Sequence, residues 1–217
     1  MTVFYKNCFR GYQRKRLCKL VCCILLTLIL SACGKNGSNE MYLEEAQLTE
    51  EENKIVELLG MNQKQLIYDF QTDDTINAIQ INTYELSDGQ WILVTGGGGQ
   101  AWTDPKGRIA LGFERISDDL RVAVQSSQHI GATSYQREME EESENMGCAT
   151  SVLTERKEIV YEQEIPVAIQ IVTSKDEVHS YTVDYFFQPE EYEKYDYEHV
   201  YAMTVLFSQK TLNELSE

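Results

Sequence analysis

The chain has few side chains whose types and spacing are typical of catalysis or metal binding. Its three histidines, His129, His179 and His199, are far apart, and none has a second His or Cys at metal-site spacing. The sequence contains neither a His-Glu-x-x-His zinc motif nor a Gly-x-Ser-x-Gly nucleophile motif. We therefore expect no metal site, no catalytic residues and no enzymatic activity. The alternative is an enzyme whose carboxylates meet only in the fold.

A run of four glycines and the tryptophan after it form the first candidate binding segment. Gly96-Gly97-Gly98-Gly99 is not followed by the Lys-Ser/Thr pair of a phosphate-binding loop, so it indicates a loop between strands. Trp102 follows this loop, and a loop-borne indole can stack on a sugar ring or anchor a partner protein. In the alternative interpretation, Trp102 folds back over the end of the domain.

Two acidic stretches are further candidates. The first contains Glu138, Glu140, Glu141, Glu142 and Glu144, which lack the spacing and the central glycine of an EF-hand, so we predict a solvated loop. The second stretch places Tyr192, Tyr195 and Tyr197 among carboxylates, near the C-terminus. These rings either form a recognition patch or cover the end of a strand. Trp102 and the three tyrosines are therefore the candidate binding residues.

The residues that precede Cys33 indicate an exported protein. Residues 1–19 contain six basic side chains and no acidic one, and the apolar run from Leu20 to Leu30 is interrupted only by Thr27. A basic start, a short apolar run and small residues at its end are typical of a secretory signal peptide. The run is shorter than the roughly 20 residues that a membrane-spanning helix needs.

Leu30-Ser31-Ala32-Cys33 resembles the lipobox of bacterial lipoprotein precursors, in which an aliphatic residue and two small residues precede a cysteine. This resemblance implies that signal peptidase recognises Leu30, Ser31 and Ala32, and that Cys33 carries a diacylglyceryl group and becomes the mature N-terminus. It places the protein on the outer face of the cell membrane, held by its lipid. The lipobox, the glycine loop with Trp102 and the Tyr/Glu-rich stretch also resemble those of small Gram-positive lipoproteins, a resemblance that supplies no activity.

Charge and cysteine content limit the function classes. The whole chain has a net charge of −16, and residues 1–32 contain basic but no acidic side chains, so the exported part is more acidic still. Such a charge argues against nucleic acid as a partner. Apart from Cys33, the exported part contains one cysteine, Cys148, which we predict to be a small buried strand residue. The domain must therefore be stabilised by its core, without an internal disulfide.

The hydrophobic pattern predicts three segments: a signal peptide at 1–32, a lipidated N-terminus and flexible spacer at 33–47, and one domain at 48–217. A capping box at Thr49 and Glu52 starts a helix that ends at Gly60, and its apolar side, which includes Ile55, Leu58 and Leu59, should pack on a sheet. Alternating apolar residues then predict nine or ten strands, including one over 181–187, and Asp88-Gly89 predicts a hairpin turn. A helical turn is expected after Pro189.

The absence of long crossover helices favours antiparallel pairing. We therefore predict an all-β fold, an antiparallel two-sheet sandwich of the Ig-like or jelly-roll type, with a closed barrel as the alternative. The expected function is a lipid-anchored, non-enzymatic binding module for an envelope protein or glycan. A carbohydrate- or cation-binding module of a larger envelope complex stays open as an alternative.

Overall fold

The computed structural model describes residues 40–60, 64–95, 99–136, 146–179 and 181–215. The predicted signal peptide, the lipobox with Cys33, the first three residues of the glycine run and the acidic loop at 138–144 lie outside these ranges. All the described residues belong to one compact unit, residues 39–217.

Twelve strands and three short α-helices make up the described part of the chain. The strands are β1 (Tyr42–Glu45), β2 (Lys64–Gln71), β3 (Ala78–Ser87), β4 (Gln90–Thr95), β5 (Gln100–Ala101), β6 (Lys106–Phe113), β7 (Asp119–Gln125), β8 (Ile130–Gln136), β9 (Gly147–Val152), β10 (Lys157–Glu158), β11 (Glu164–Thr173) and β12 (His199–Ser208). The α-helices are α1 (Glu50–Leu59), α2 (Glu190–Glu193) and α3 (Leu212–Leu215), and a 3-10 helix spans Val183–Phe187.

The strands form two antiparallel sheets packed face to face, which confirms the predicted all-β sandwich. Sheet A has the order β10-β1-β2-β6-β7-β8. Sheet B has the order β4-β3-β12-β11-β9, and β5 also pairs with β3. The predicted hairpin joins β3 to β4, and both turn residues, Asp88 and Gly89, have positive φ, at 50° and 70°.

The two sheets are buried to different extents. In β2 and β7 buried residues alternate with partly exposed ones, because only one face of sheet A meets the core. In β11 and β12 nearly every residue is buried, because both faces of sheet B are covered at these central strands. The segment 174–198 packs beside β11, and its 3-10 helix contacts that strand.

The strand predicted over 181–187 is wrong, because Val183–Phe187 is a 3-10 helix. Its alternating aromatic residues resemble a strand in sequence, but a 3-10 helix brings residues three apart to the same side. Val183 is buried, while Phe186 stacks on Trp91 with ring centroids 5.3 Å apart and accepts a 2.7 Å hydrogen bond from Trp91 Nε1 at its carbonyl. Stacking and a hydrogen bond to Trp91 thus hold this helical segment against sheet B.

The predicted limits of α1 are confirmed, but its predicted packing is wrong. Thr49 Oγ1 accepts from Glu52 N, Glu52 Oε2 accepts from Thr49 N, and Gly60 N donates to the Val56 carbonyl. However, no residue of α1 is buried, and Leu58 and Leu59 are 70% and 75% exposed. The capping residues start and end the helix locally, without a sheet surface beneath it.

The predicted flexible spacer also extends too far. Residues 42–45 form β1, which pairs with β2 on one side and β10 on the other. Leu43 is fully buried in the core. This part of the sequence is rich in polar residues, and it therefore resembles a spacer. The short strand is stabilised by its neighbours in sheet A rather than by its own sequence.

Candidate binding cleft

The structure does not bring the four candidate binding residues together. Trp102 packs against Phe70, which in turn packs against Phe207 near the end of β12. Tyr195 and Tyr197 immediately precede the start of the same strand. Ten residues of extended chain span about 33 Å, so Trp102 and these tyrosines lie at opposite ends of the sandwich.

Trp102 is buried, which contradicts its interpretation as an exposed loop aromatic. Only 4% of its surface is accessible, and its ring meets Phe70 edge-on at 6.2 Å between centroids. Its Nε1–H donates to the Asp104 carbonyl at 3.0 Å, and its backbone N–H donates to the Asn77 carbonyl at 3.0 Å. The alternative interpretation, in which Trp102 folds back over the end of the domain, is the correct one.

The buried indole forms part of the wall of an open cleft of about 530 Å³. One wall is β5 with the two residues that follow it, and the other is the start of β8 with His129 before it. β8 is the last strand of sheet A, and β5 pairs only with β3 at the border of sheet B. The cleft therefore lies where the edges of the two sheets meet. Its lining residues are Gln100, Ala101, Trp102, Thr103, His129, Ile130, Gly131, Ala132 and Thr133.

His129 is the polar group best oriented at this cleft. Its Nδ1 lies 2.9 Å from Asp104 Oδ2, and Ser126 Oγ donates to the same carboxylate oxygen. These two hydrogen bonds, with Ser126 contributing more, lower the pKa of Asp104. The ionised Asp104 carboxylate can only accept, so this hydrogen bond needs the proton on His129 Nδ1.

Ser126, Asp104 and His129 have the residue types of a catalytic triad but not its geometry. In a triad the serine hydroxyl is hydrogen-bonded to the histidine and the carboxylate lies behind the histidine. Here the carboxylate lies between the other two side chains, and Ser126 Oγ accepts from the backbone N–H groups of Gln128 and His129. The serine therefore shapes the turn before β8, and the carboxylate fixes the orientation of the imidazole.

Gln100 closes one side of the cleft by lying over Gly131. An ideal Cβ at Gly131 would overlap with the end of the Gln100 side chain, so a larger residue would displace this amide from its present position. Gln100 Oε1 is buried and has no hydrogen-bond partner among the described residues. The cleft is thus lined by two threonines and an imidazole beside an apolar wall, a combination typical of ligand sites.

The tyrosine-rich segment has a mainly structural role in this fold. Tyr192 is buried, and burial raises its pKa. Tyr195 and Tyr197 are partly buried and stack at 5.7 Å between centroids, and the backbone N–H of His179 donates to the Tyr197 hydroxyl at 3.0 Å. These contacts hold the 174–198 segment together, and Tyr192 also meets Trp91 of sheet B edge-on, with ring centroids 6.1 Å apart.

The other reactive groups in the described part of the chain are dispersed. Among these residues there is no group of three or more His, Cys, Asp and Glu side chains that could hold a metal ion. Cys148 is a free thiol in β9, as predicted for a strand, but it is exposed rather than buried. Within the described ranges, we find no helix with the length and apolar character needed to span a bilayer.

The sequence does not single out His129 as a residue of the cleft. Asp104 and His129 are 25 residues apart, and no local pattern connects them. Comparison with protein-family models, with curated proteins and with solved structures found no match to this chain.

Proposed function

We propose that this protein is a lipid-anchored lipoprotein on the outer face of the cell membrane, and that its sandwich is a non-enzymatic binding module for an envelope protein or glycan. The proposal for the anchor is supported by the basic N-terminus, the short apolar run and Leu30-Ser31-Ala32-Cys33. Two acyl chains give stable membrane attachment, which fits a domain that must stay at the cell surface.

The observation that carries the binding function is the open cleft between β5 and β8, with His129 held by Asp104 at its border. Edge strands of a sheet have backbone N–H and C=O groups available for a partner, and the cleft adds side-chain donors and acceptors to them. Ile130, 73% exposed beside these polar groups, offers apolar contact area. This surface suits an extended peptide or a glycan chain.

The anchor is tested by labelling cells with a radioactive fatty acid. Wild-type protein should carry the label and migrate as the processed form. Cys33→Ser should lose the label and accumulate as the unprocessed precursor, since the acceptor sulfur is gone. Cleavage and labelling of Cys33→Ser at the same site would contradict the proposed anchor.

The cleft is tested by the binding of purified full-length protein, in detergent, to isolated peptidoglycan and to envelope membranes. His129→Ala combined with Thr133→Ala should weaken binding to one of these fractions at least tenfold. The matched control is His179→Ala, an exposed histidine in the 174–198 segment, which should bind like the wild type. Equal binding by the cleft variant and the wild type would exclude this site.

A further inference from the structure

Strand β9 forms an unprotected edge of sheet B. It is the last strand of that sheet, and among the described residues it pairs only with β11. Its segment Gly147–Val152 contains no charged residue and no proline, and its register with β11 has no bulge. Edge strands are normally protected by charges, prolines, bulges or very short length, as in the two-residue strand β10. β9 has none of these protections, so its edge is available to a further strand.

The hydrogen bonds to β11 show which backbone groups of β9 face the free edge. Leu153 N donates to the Val167 carbonyl at 2.9 Å, so these two residues are a hydrogen-bonded pair. In an antiparallel ladder, hydrogen-bonded and non-hydrogen-bonded pairs alternate. Cys148, Thr150 and Val152 therefore belong to non-hydrogen-bonded pairs, and their N–H and C=O groups point away from β11. An added strand pairs with backbone groups at this spacing of every second residue.

A cavity of about 320 Å³ lies beside this edge, and we call it the β9 cavity. One wall is the end of β9 with the residues that follow it, and the other is the chain at 181–184, where the 3-10 helix begins. Leu153, Tyr181 and Val183 are buried side chains that line it. The β9 cavity therefore has a mainly apolar wall next to the free backbone groups.

Side-chain contacts hold the two walls of the β9 cavity in place. Lys157 Nζ of β10 lies 2.8 Å and 3.0 Å from the two carboxylate oxygens of Asp184, in the 3-10 helix. The Tyr181 hydroxyl donates to the Glu191 carbonyl at 3.3 Å, and its ring packs on Tyr192 with centroids 4.5 Å apart. The cavity is therefore formed before a ligand binds, which lowers the entropic cost of binding.

The β9 cavity lies on the side of the strand that alternate side chains of an added strand would reach. Gln170 Nε2 donates to Thr150 Oγ1 at 3.0 Å and to the Glu114 carbonyl, just after β6, at 3.1 Å, so Thr150 faces sheet A. Ser151 therefore faces away from sheet A, and it lines the cavity. A residue placed opposite Ser151 on an added strand would direct its side chain to the same side.

We propose that β9 binds an extended peptide segment of a partner protein as an added antiparallel strand of sheet B, with one apolar side chain of the peptide in the β9 cavity. In this mode of recognition, main-chain hydrogen bonds give affinity and pockets for alternate side chains give specificity. A glycan has no regular alternation of N–H and C=O groups and cannot form such a ladder. The β9 cavity shares no lining residue with the β5–β8 cleft, so this site does not depend on the function of that cleft.

The first test measures the binding of synthetic peptides to the purified full-length protein in detergent. The probes are Thr-Val-Thr-Leu-Thr-Val-Thr and its variants with Phe, Lys or Glu at the centre. The Leu or Phe peptide should bind saturably, and at least tenfold more tightly than the Lys and Glu peptides, because the cavity wall is apolar. If neither the Leu nor the Phe peptide binds, the proposal is wrong.

N-methylated forms of the same peptide test the main-chain pairing. With the central residue opposite Ser151, the two residues beside it pair with Thr150 and Val152, and the N–H of the central residue points away from β9. N-methylation of these two neighbours should therefore weaken binding at least tenfold. N-methylation of the central residue is the matched control and should have little effect. Equal binding of the two methylated peptides would contradict an added strand.

Variants of the protein locate the binding on β9. Val152→Pro removes one N–H of the free edge and leaves the β9–β11 hydrogen bonds their donors, and Ser151→Trp fills the cavity. Each should weaken peptide binding at least tenfold, whereas Glu177→Gln, at an exposed residue of the 174–198 segment, should bind like the wild type. If Val152→Pro does not fold, Ser151→Trp decides alone, and wild-type binding by it would overturn the proposal.

Sedimentation of the same proteins tests whether a second copy of the chain occupies this edge. The wild type and Val152→Pro should have the same mass, because the proposed partner is a different protein. A wild-type dimer that Val152→Pro converts to a monomer, together with no peptide binding, would show that β9 pairs with itself and would overturn the proposal.

Discussion

Trp102 meets Phe70 edge-on, with ring centroids 6.2 Å apart and the ring planes at 68°. Phe70 belongs to β2 of sheet A and packs on Phe207 of β12, in sheet B. The wall of the β5–β8 cleft is thus continuous with the core of the sandwich. A change at Trp102 affects folding as well as binding, whereas His129, 62% exposed at its side chain, touches the core only at its edge-on contact with the Trp102 ring.

Replacing Trp102 with Ala should lower the free energy of unfolding by about 3–5 kcal/mol, because it leaves a cavity beside Phe70. Trp102→Phe should cost less, since it keeps most of the ring contact and loses the Nε1 hydrogen bond to Asp104. Urea denaturation measures both values. Ile130→Ala serves as the control, since that side chain is 73% exposed, with an expected change within about 0.5 kcal/mol. A Trp102→Ala protein as stable as this control would contradict the packing described.

Two glycine substitutions should have different costs. An ideal Cβ at Gly107 would lie 2.7 Å from the Gln125 carbonyl oxygen and 2.7 Å from Phe70 Cζ. Since neither a sheet backbone nor a core ring can move freely, Gly107→Ala should destabilise by about 1–3 kcal/mol. Gly131→Ala meets only the end of the Gln100 side chain, which can rotate. Gly131→Ala should therefore lower the free energy of unfolding less than Gly107→Ala does, as measured by thermal or urea denaturation. An equal or larger loss for Gly131→Ala would contradict the contacts described at these two glycines.

Glu198 should contribute to stability at neutral pH but not in strong acid. Hydrogen bonds from Ser174 and Thr173 lower the pKa of Glu198 to about 2, from an ordinary value of 4.5. A carboxylate whose pKa is lower in the folded state stabilises the fold above its ordinary pKa, and this stabilisation is lost as the pH falls from about 4.5 towards 2.

We therefore expect Glu198→Gln to be less stable than the wild type in urea at pH 7, and the difference to shrink as the pH approaches 2. Glu155→Gln, which changes an exposed glutamate, should show no such convergence with the wild type. A difference between Glu198→Gln and the wild type that is the same at both pH values would show that ionisation of Glu198 does not matter for folding.

The hydroxyl of Tyr68 joins the sheet A core to the chain just after β9. It donates to the Leu153 carbonyl at 3.0 Å, and burial raises its pKa. Tyr68→Phe keeps the buried ring and removes this hydrogen bond, so we expect a loss of about 1 kcal/mol in the free energy of unfolding. Calorimetry or urea denaturation measures this loss. If Tyr68→Phe is as stable as the wild type or more stable, the hydrogen bond to the Leu153 carbonyl does not stabilise the fold.

The apolar side chains of α1 are exposed, so replacing them should have little effect on stability. Leu58→Gln and Leu59→Gln should each change the free energy of unfolding by less than about 0.5 kcal/mol, because neither side chain is buried. Leu43→Gln in β1, where the side chain is fully buried, provides the contrasting variant and should be strongly destabilised. Large losses at Leu58 or Leu59 would show that this side of the helix is covered in the intact protein.

Local features of the fold were predictable because they depend on neighbouring residues. The capping residues of α1 and the Asp88-Gly89 turn act over a few residues, and the alternation in β2 and β7 follows from a sheet with one buried face. The strand predicted over 181–187 was wrong because alternation is a local signal, whereas the 3-10 helix that forms there packs Phe186 on Trp91, 95 residues away along the chain.

The amino-acid sequence by itself determined the two-sheet antiparallel architecture, since short turns and one-sided alternation leave few other ways to bury the apolar residues. Only the tertiary structure decided which side chains meet. Asp104 and His129 are joined across 25 residues, and Asn82 and Glu164 across 82, because strands distant in sequence become neighbours or face each other in the sandwich. Trp102 is buried for the same reason: its partner Phe70 belongs to another strand, and nothing near Trp102 in the sequence specifies that contact.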